Sequence, residues 1–106
     1  MFWRGFVLYK DKIKLEMIMM YYIYLLKDRY GKIYIGYTSN LKKRLQRHAR
    51  GHTSYLKNRR PLKLVYYEAY LSEEDARARE KSLKNYGSVL AGLKQRIKNS
   101  LQKPEF

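Results

Sequence analysis

Apolar positions run on without alternation in Tyr21-Tyr22-Ile23-Tyr24-Leu25-Leu26-Lys27. A strand with one wet face would alternate; this one is aromatic and β-branched on both, which predicts a central strand covered on each side. Asp28-Arg29-Tyr30-Gly31 then supplies turn residues, with Gly31 free to take positive φ. Lys32 to Tyr37 returns as a second strand, giving an antiparallel hairpin. A register setting Tyr24 opposite Tyr34 would place both phenols on one face, because directly opposed residues share a face. Thr38, Ser39 and Asn40 are all competent caps for a helix over Leu41 to Arg50. Its buried stripe is Leu41, Leu45 and either Ala49 or His48, and Gly51 ends it. His52 to Pro61 reads as a loop with one helical turn around Tyr55 and Leu56, followed by a third strand over Leu62 to Tyr70. Ser72-Glu73-Glu74-Asp75 opens a second helix, with Ser72 as cap and Asp75 in the capping-box position. That helix runs to about Tyr86, with Gly87 as its stop. A last helix from Ser88 to Leu101 carries Val89, Leu90, Leu93, Ile97 and Leu101 as its apolar stripe, and Pro104 marks the tail. The fold class is α+β.

Residues 1–19 fit no period. They read as an N-terminal arm or as an extension created by start-site choice, since Met17, Met19 and Met20 crowd the junction. The domain proper spans residues 20–101, with a short tail over 102–106.

Charge changes the picture most. The chain of 106 residues carries a net +15 and has no Asp or Glu between Arg29 and Tyr67. A surface so one-signed attracts polyanions, and displacing counterions from phosphates gives affinity independent of sequence. Nucleic acid is the expected partner. There is no cysteine, which excludes disulfides, thiolate metal sites and a Cys nucleophile. No apolar run reaches the roughly 18 residues of a membrane span, and the N-terminus lacks a signal-peptide pattern, so no membrane partner and a cytoplasmic location are expected.

Within this frame a few residues stand apart. Arg44 and His48, four apart, share one helix face. Glu80 falls on the stripe Ala76, Glu80, Leu83 and Gly87 that should face the sheet. A carboxylate aimed at a core must be paired, neutralised or metal-bound. A salt bridge to a nearby arginine such as Arg44 and a metal site are both open. Taken singly, each residue has an ordinary structural explanation. Together with Tyr24 and Tyr34 they suggest phosphoryl-transfer chemistry: an arginine for charge on the phosphate, a carboxylate for one divalent ion, and a phenol or imidazole for the proton. A single inward carboxylate argues against a two-metal cluster.

These residues also resemble a known family, the GIY-YIG nuclease superfamily, which includes the N-terminal nuclease domain of the UvrC repair subunit and small stand-alone bacterial proteins. Tyr22-Ile23-Tyr24 matches the first motif and Tyr34-Ile35-Gly36 the second. Asn40-Leu41-Lys42-Lys43-Arg44 resembles the segment bearing the essential arginine, and Ala78-Arg79-Glu80-Lys81-Ser82-Leu83-Lys84 the segment bearing the metal-binding glutamate. His48 matches a position held by His or Tyr. Tyr22 replaces the first motif's glycine, Tyr37 stands where some relatives carry lysine, and the late asparagine has no secure match at Asn85 or Asn99.

The resemblance implies a small three-stranded antiparallel sheet flanked by helices, in agreement with the periodicity. It also implies a metal-dependent endonuclease hydrolysing DNA phosphodiesters with one Mg²⁺ or Mn²⁺ at Glu80, in DNA repair or processing. Arg44 would stabilise the phosphate, Tyr24 or Tyr34 would act on the attacking water, and His48 would relay the proton. Lys42, Lys43, Arg47, Arg59 and Arg60 would grip the backbone without reading bases. The competing expectation is a non-catalytic nucleic-acid-binding module on the same scaffold. A third is an enzyme directed to its substrate by a targeting protein.

Overall fold

The computed structural model describes residues 19–104; the rest of the expected N-terminal arm and the last two residues of the tail lie outside the described residues. In chain order the elements are β1 (Tyr21–Lys27), β2 (Ile33–Thr38), α1 (Leu41–Ala49), a 3-10 helix (Ser54–Arg59), β3 (Lys63–Tyr70), α2 (Glu73–Asn85), α3 (Gly87–Arg96) and α4 (Lys98–Gln102). The strands form one antiparallel sheet in the order β2-β1-β3, with helices on both faces. The uninterrupted apolar strand is therefore the central one, as its two covered faces require.

Successive side chains of a strand point to opposite faces, so β1 feeds two separate cores. Ile23 and Leu25 join Ala76 and Leu83 of α2 and Leu93 of α3 in one buried cluster. Tyr24 and Leu26 join Leu56 of the 3-10 helix on the other face, with Leu41 and Leu45 of α1 packed against them.

The hairpin register differs from expectation by two residues: Tyr24 lies opposite Gly36, and Tyr34 opposite Leu26. A shift of two preserves the pleat's parity, so both tyrosines still share a face. The tight turn sets this register. Buried Asp28 receives the Tyr30 and Lys32 amides at 2.8 and 2.9 Å and also the Tyr34 hydroxyl and Arg59 Nε at 3.1 and 2.9 Å. Gly31 supplies φ of 90°.

Asn40 is the working cap of α1, its side chain accepting from the Lys43 amide at 3.0 Å, and His48 rather than Ala49 completes the buried stripe. Two other helix ends depart from the sequence reading. Ser72 occupies the N-cap position of α2 without a side-chain cap bond. Gly87 begins α3 instead of ending α2; the break is at Tyr86, whose extended backbone (φ −122°, ψ 104°) ends one helix and starts the next. The last helix is divided at Ile97, although its apolar stripe stays half-buried or buried throughout.

The rotation of α2 about its axis is pinned from three sides. At 100° per residue, Ala76 and Leu83 face the core, Arg79 flanks them on one side, and Glu73, Arg77, Glu80 and Lys84 lie on the other. Arg79 grips Glu68 of β3 through Nε at 3.0 Å and Nη2 at 3.0 Å, while Tyr66 and Tyr70 donate to the same carboxylate. On the opposite flank Arg77 stacks 4.2 Å over the Tyr37 ring of β2, and Tyr37 donates to Glu73 at 2.8 Å.

Burial pushes the Asp28 pKa up, but the donors from Lys32, Tyr30, Tyr34 and Arg59 outweigh burial and hold it below the ordinary 3.8. Asp28→Ala strips all four donors of their acceptor and is expected to cost roughly 2–3 kcal/mol in urea unfolding. In the parent protein this contribution is complete above pH 3.8 and fades as pH falls through the lower folded value. A variant as stable as the parent at neutral pH would remove Asp28 from the foundations of the hairpin.

Candidate active site

The five residues singled out in the sequence line one cleft of about 190 Å³: Tyr24, Tyr34, Arg44, His48 and Glu80. Its location explains how elements on opposite sheet faces contribute together. Arg44 and His48 come from α1 on one face, and Glu80, Arg77 and Lys84 from α2 on the other; between them the cleft wraps around β2, one of the two edge strands, at Ile35, Gly36 and Tyr37.

Gly36 is what lets the central strand take part. A Cβ there would sit 2.3 Å from Tyr24 Cζ and 2.4 Å from the phenol oxygen. The Tyr24 ring thus lies directly across the glycine of its neighbour strand, and its hydroxyl emerges at the sheet edge, in the cleft. Any other residue at 36 would push it away.

Tyr24 shares a 3.0 Å hydrogen bond with His48 Nε2, and His48 Nδ1 shares one of 2.8 Å with the Thr53 hydroxyl. His48 is buried, and that burial, with the charges of Arg44 and Arg47, holds its pKa below the ordinary value. The imidazole is therefore neutral at pH 7, able to accept one proton. Burial pushes the Tyr24 phenol up; Arg44 pulls it part of the way back, while Tyr55 and Glu80 add to the rise. Tyr34 is placed differently. Its hydroxyl donates to Asp28 at 3.1 Å and accepts from Arg59 Nε at 3.0 Å, so both its roles are taken by the turn network.

Glu80 has the partner that a half-buried carboxylate needs, but this is Lys84 at 3.0 Å, one turn along α2, and not Arg44. The carboxylate is 19% exposed, and among the described residues no trio of His, Cys, Asp or Glu gathers around any point. One carboxylate at the rim of an open cleft does not make a protein cage. A lone carboxylate of this kind could hold a Mg²⁺ or Mn²⁺ ion only if water and substrate oxygens supplied the other ligands.

The basic residues divide into two groups. Lys42, Lys43 and Arg47 are exposed on α1. Arg59 is ion-paired to Asp28 and lies 4.8 Å over the Tyr30 ring, and Arg60 binds the Lys57 and Ala49 carbonyls at 2.9 and 3.2 Å. A larger hollow of about 550 Å³ carries Arg29, Lys57 and Arg60 but no carboxylate or histidine. It is a basic surface without the means for chemistry. Arg77, Lys84, Tyr55 and Thr53 were not anticipated. The first two sit three before and four after Glu80, a spacing that puts them on its flank and was readable; Thr53 lies in a loop and left no signal.

The sequence pattern of the GIY-YIG catalytic domain matches residues 20–88. The chain belongs to the GIY-YIG family. A UPF0213 protein of Clostridium perfringens is 39% identical over 61% of this chain and 71% of its own, and one of Staphylococcus haemolyticus is 37% identical over 62% and 82%. The solution NMR structure of a UPF0213 protein from Bacillus halodurans superposes with a TM-score of 0.50 at 30% identity, covering 82% of this chain and 98% of that one. GIY-YIG domains form a nuclease superfamily, for which nucleic acid is the implied partner. Among the described residues no helix is long and apolar enough to cross a membrane.

The depressed His48 pKa gives this GIY-YIG site an acid limit. Stability from the neutral buried ring is complete above pH 6.5 and is lost as pH falls through the folded value. NMR titration of the ring is expected to find it ionising below 6.5, and Arg44→Ala to raise that value. Titration at or above 6.5 would contradict the burial and charge argument.

Proposed function

We propose that the protein is an endonuclease that hydrolyses DNA phosphodiester bonds with one Mg²⁺ or Mn²⁺ held at Glu80. The observation that carries this reading is the single cleft in which Tyr24, His48 and Arg44 from one sheet face meet Glu80 from the other. A carboxylate repels phosphate, so a site that only binds nucleic acid would gain nothing from Glu80 beyond its ion pair with Lys84.

Tyr24 is the better general base of the two tyrosines. A phenol with a raised pKa is a poor base if it must first ionise. The 3.0 Å bond to His48 removes that requirement. As water attacks phosphorus, its proton passes to the Tyr24 oxygen while the phenolic proton passes to His48 Nε2. The suitable tautomer has Nδ1–H donating to Thr53. Arg44 meets the charge that develops on the phosphate oxygens. Tyr34, its hydroxyl held by Asp28 and Arg59, forms part of the cleft wall and does not exchange protons. The divalent ion, when bound, supplies Lewis-acid charge at the scissile phosphate and its leaving 3′ oxygen. Lys42, Lys43 and Arg47 hold the flanking backbone, with Arg59 and Arg60 bounding the same surface. A cytoplasmic role in DNA repair or processing, with a targeting protein choosing the substrate, suits such an activity.

Supercoiled plasmid in Mg²⁺ or Mn²⁺ is the test. Nicking is expected, is lost in EDTA, and falls on the order of 10²–10³-fold in Arg44→Ala and Glu80→Ala. Gly36→Ala should lose as much without touching any reacting group, by displacing Tyr24, whereas Tyr34→Phe should fall less than Tyr24→Phe. DNA binding without cleavage under either ion would make the chain a binding module instead.

A further inference from the structure

At the N-terminal end of α1, the α1-covered face holds a second cleft, of about 390 Å³, that the nuclease chemistry leaves unused. Tyr22 and Tyr67 line it, together with Met20, Ser39, Asn40 and Lys42, and no acid does. Tyr67 is 52% exposed in the middle of β3. Scattered exposed aromatics need no explanation, but this one is braced. Tyr22 meets it edge to face, with centroids 6.0 Å apart at 60°, so the ring is held in place. The polar groups have unused capacity as well. The Asn40 carboxamide uses its oxygen on the Lys43 amide, leaving its NH₂ group out of the cap.

We propose that this cleft holds an unpaired nucleobase of the strand being cut, stacked on Tyr67. This rests on the reading of the protein as a nuclease. A braced aromatic face, a hydrogen-bonding rim of Ser39 and Asn40 and one cation make up a base-plus-phosphate subsite, and stacking on a tyrosine ring serves any base. The volume lies within the range of small-ligand clefts. Paired bases hide their faces inside the duplex, so the occupant is unpaired or flipped out.

The subsite is connected to the candidate reaction centre through the pairing of β1 with β3. Tyr67 is the direct cross-strand partner of Tyr24, which puts their Cβ atoms about 5 Å apart. Lys42 precedes Arg44 by two residues on α1, so the two side chains leave different sides of the helix, Lys42 toward this cleft and Arg44 toward the other. A nucleotide next to the scissile phosphate is within reach of Tyr67. The substrates favoured would be flaps, gaps or single strands over intact duplex.

The full chain, in EDTA to prevent cutting, is titrated against two fluorescent 12-nucleotide strands, one with bases and one abasic, by anisotropy. The wild type is expected to bind the base-bearing strand about tenfold more tightly, the worth of one stacked base. Tyr67→Ala should bind the two alike, and Tyr67→Phe, which keeps the ring, should retain the preference and controls for loss of fold. A wild type without preference, a Tyr67→Ala that keeps it, or a Tyr67→Phe that loses it overturns the subsite. A wild type binding neither strand at low salt overturns the nucleic-acid reading itself, which is a separate result.

Discussion

The passage of the Tyr24 ring across Gly36 is the contact on which the candidate site depends. Without it the phenol of a central strand would stay inside its own core, and the two faces of the sheet would have no shared chemistry. The approach is too close for any Cβ. It also fixes where the rest must come. His48 has to be on the helix covering that face to meet the hydroxyl, and Glu80 has to reach the same edge from beneath.

Each partner is held by contacts that have no chemical role. Asp28 ties the hairpin turn, Tyr34 and the 3-10 helix together through four hydrogen bonds, and so sets the register that brings Gly36 opposite Tyr24. On the far face, Arg79 holds one flank of α2 to β3 while Arg77 and Glu73 hold the other to Tyr37. Glu80, between them, has little freedom to turn. Three cations, Arg44, Arg77 and Lys84, border the cleft beside its one carboxylate. That imbalance suits a polyanion.

Much of this was legible in the residues. The unalternating run at Tyr21–Lys27 called for a central strand, and the α2 spacing put Glu80 on the inward side. What escaped has physical reasons. A two-residue register shift leaves every side chain on its predicted face, so hydrophobic pattern cannot detect it; only the turn chemistry at Asp28 and Gly31 decides it. The end of α2 depends on the extended backbone of Tyr86, where sequence offered the adjacent glycine as the obvious stop. Arg59 looked like one more phosphate contact because its partner, Asp28, lies 31 residues away. Ala49 and His48 were equally spaced for the buried stripe, and the hydrogen bonds to Tyr24 and Thr53 are what make burial of the histidine tolerable.

The division of the hydrophobic interior into two small cores has a consequence for how the molecule would fail. The candidate site's groups are shared between two layers that pack on opposite faces of a single sheet, so their alignment outlasts neither one. The layer under α1 is the thinner, with Tyr24, Leu26 and Leu56 as its fully buried members, and partial opening of a weakly packed segment takes less free energy than global unfolding. Heat should therefore separate Arg44 and His48 from Glu80 while α2 and the sheet are still folded. The temperature at which the cleft comes apart is set by α1, and the melting point of the whole chain lies above it.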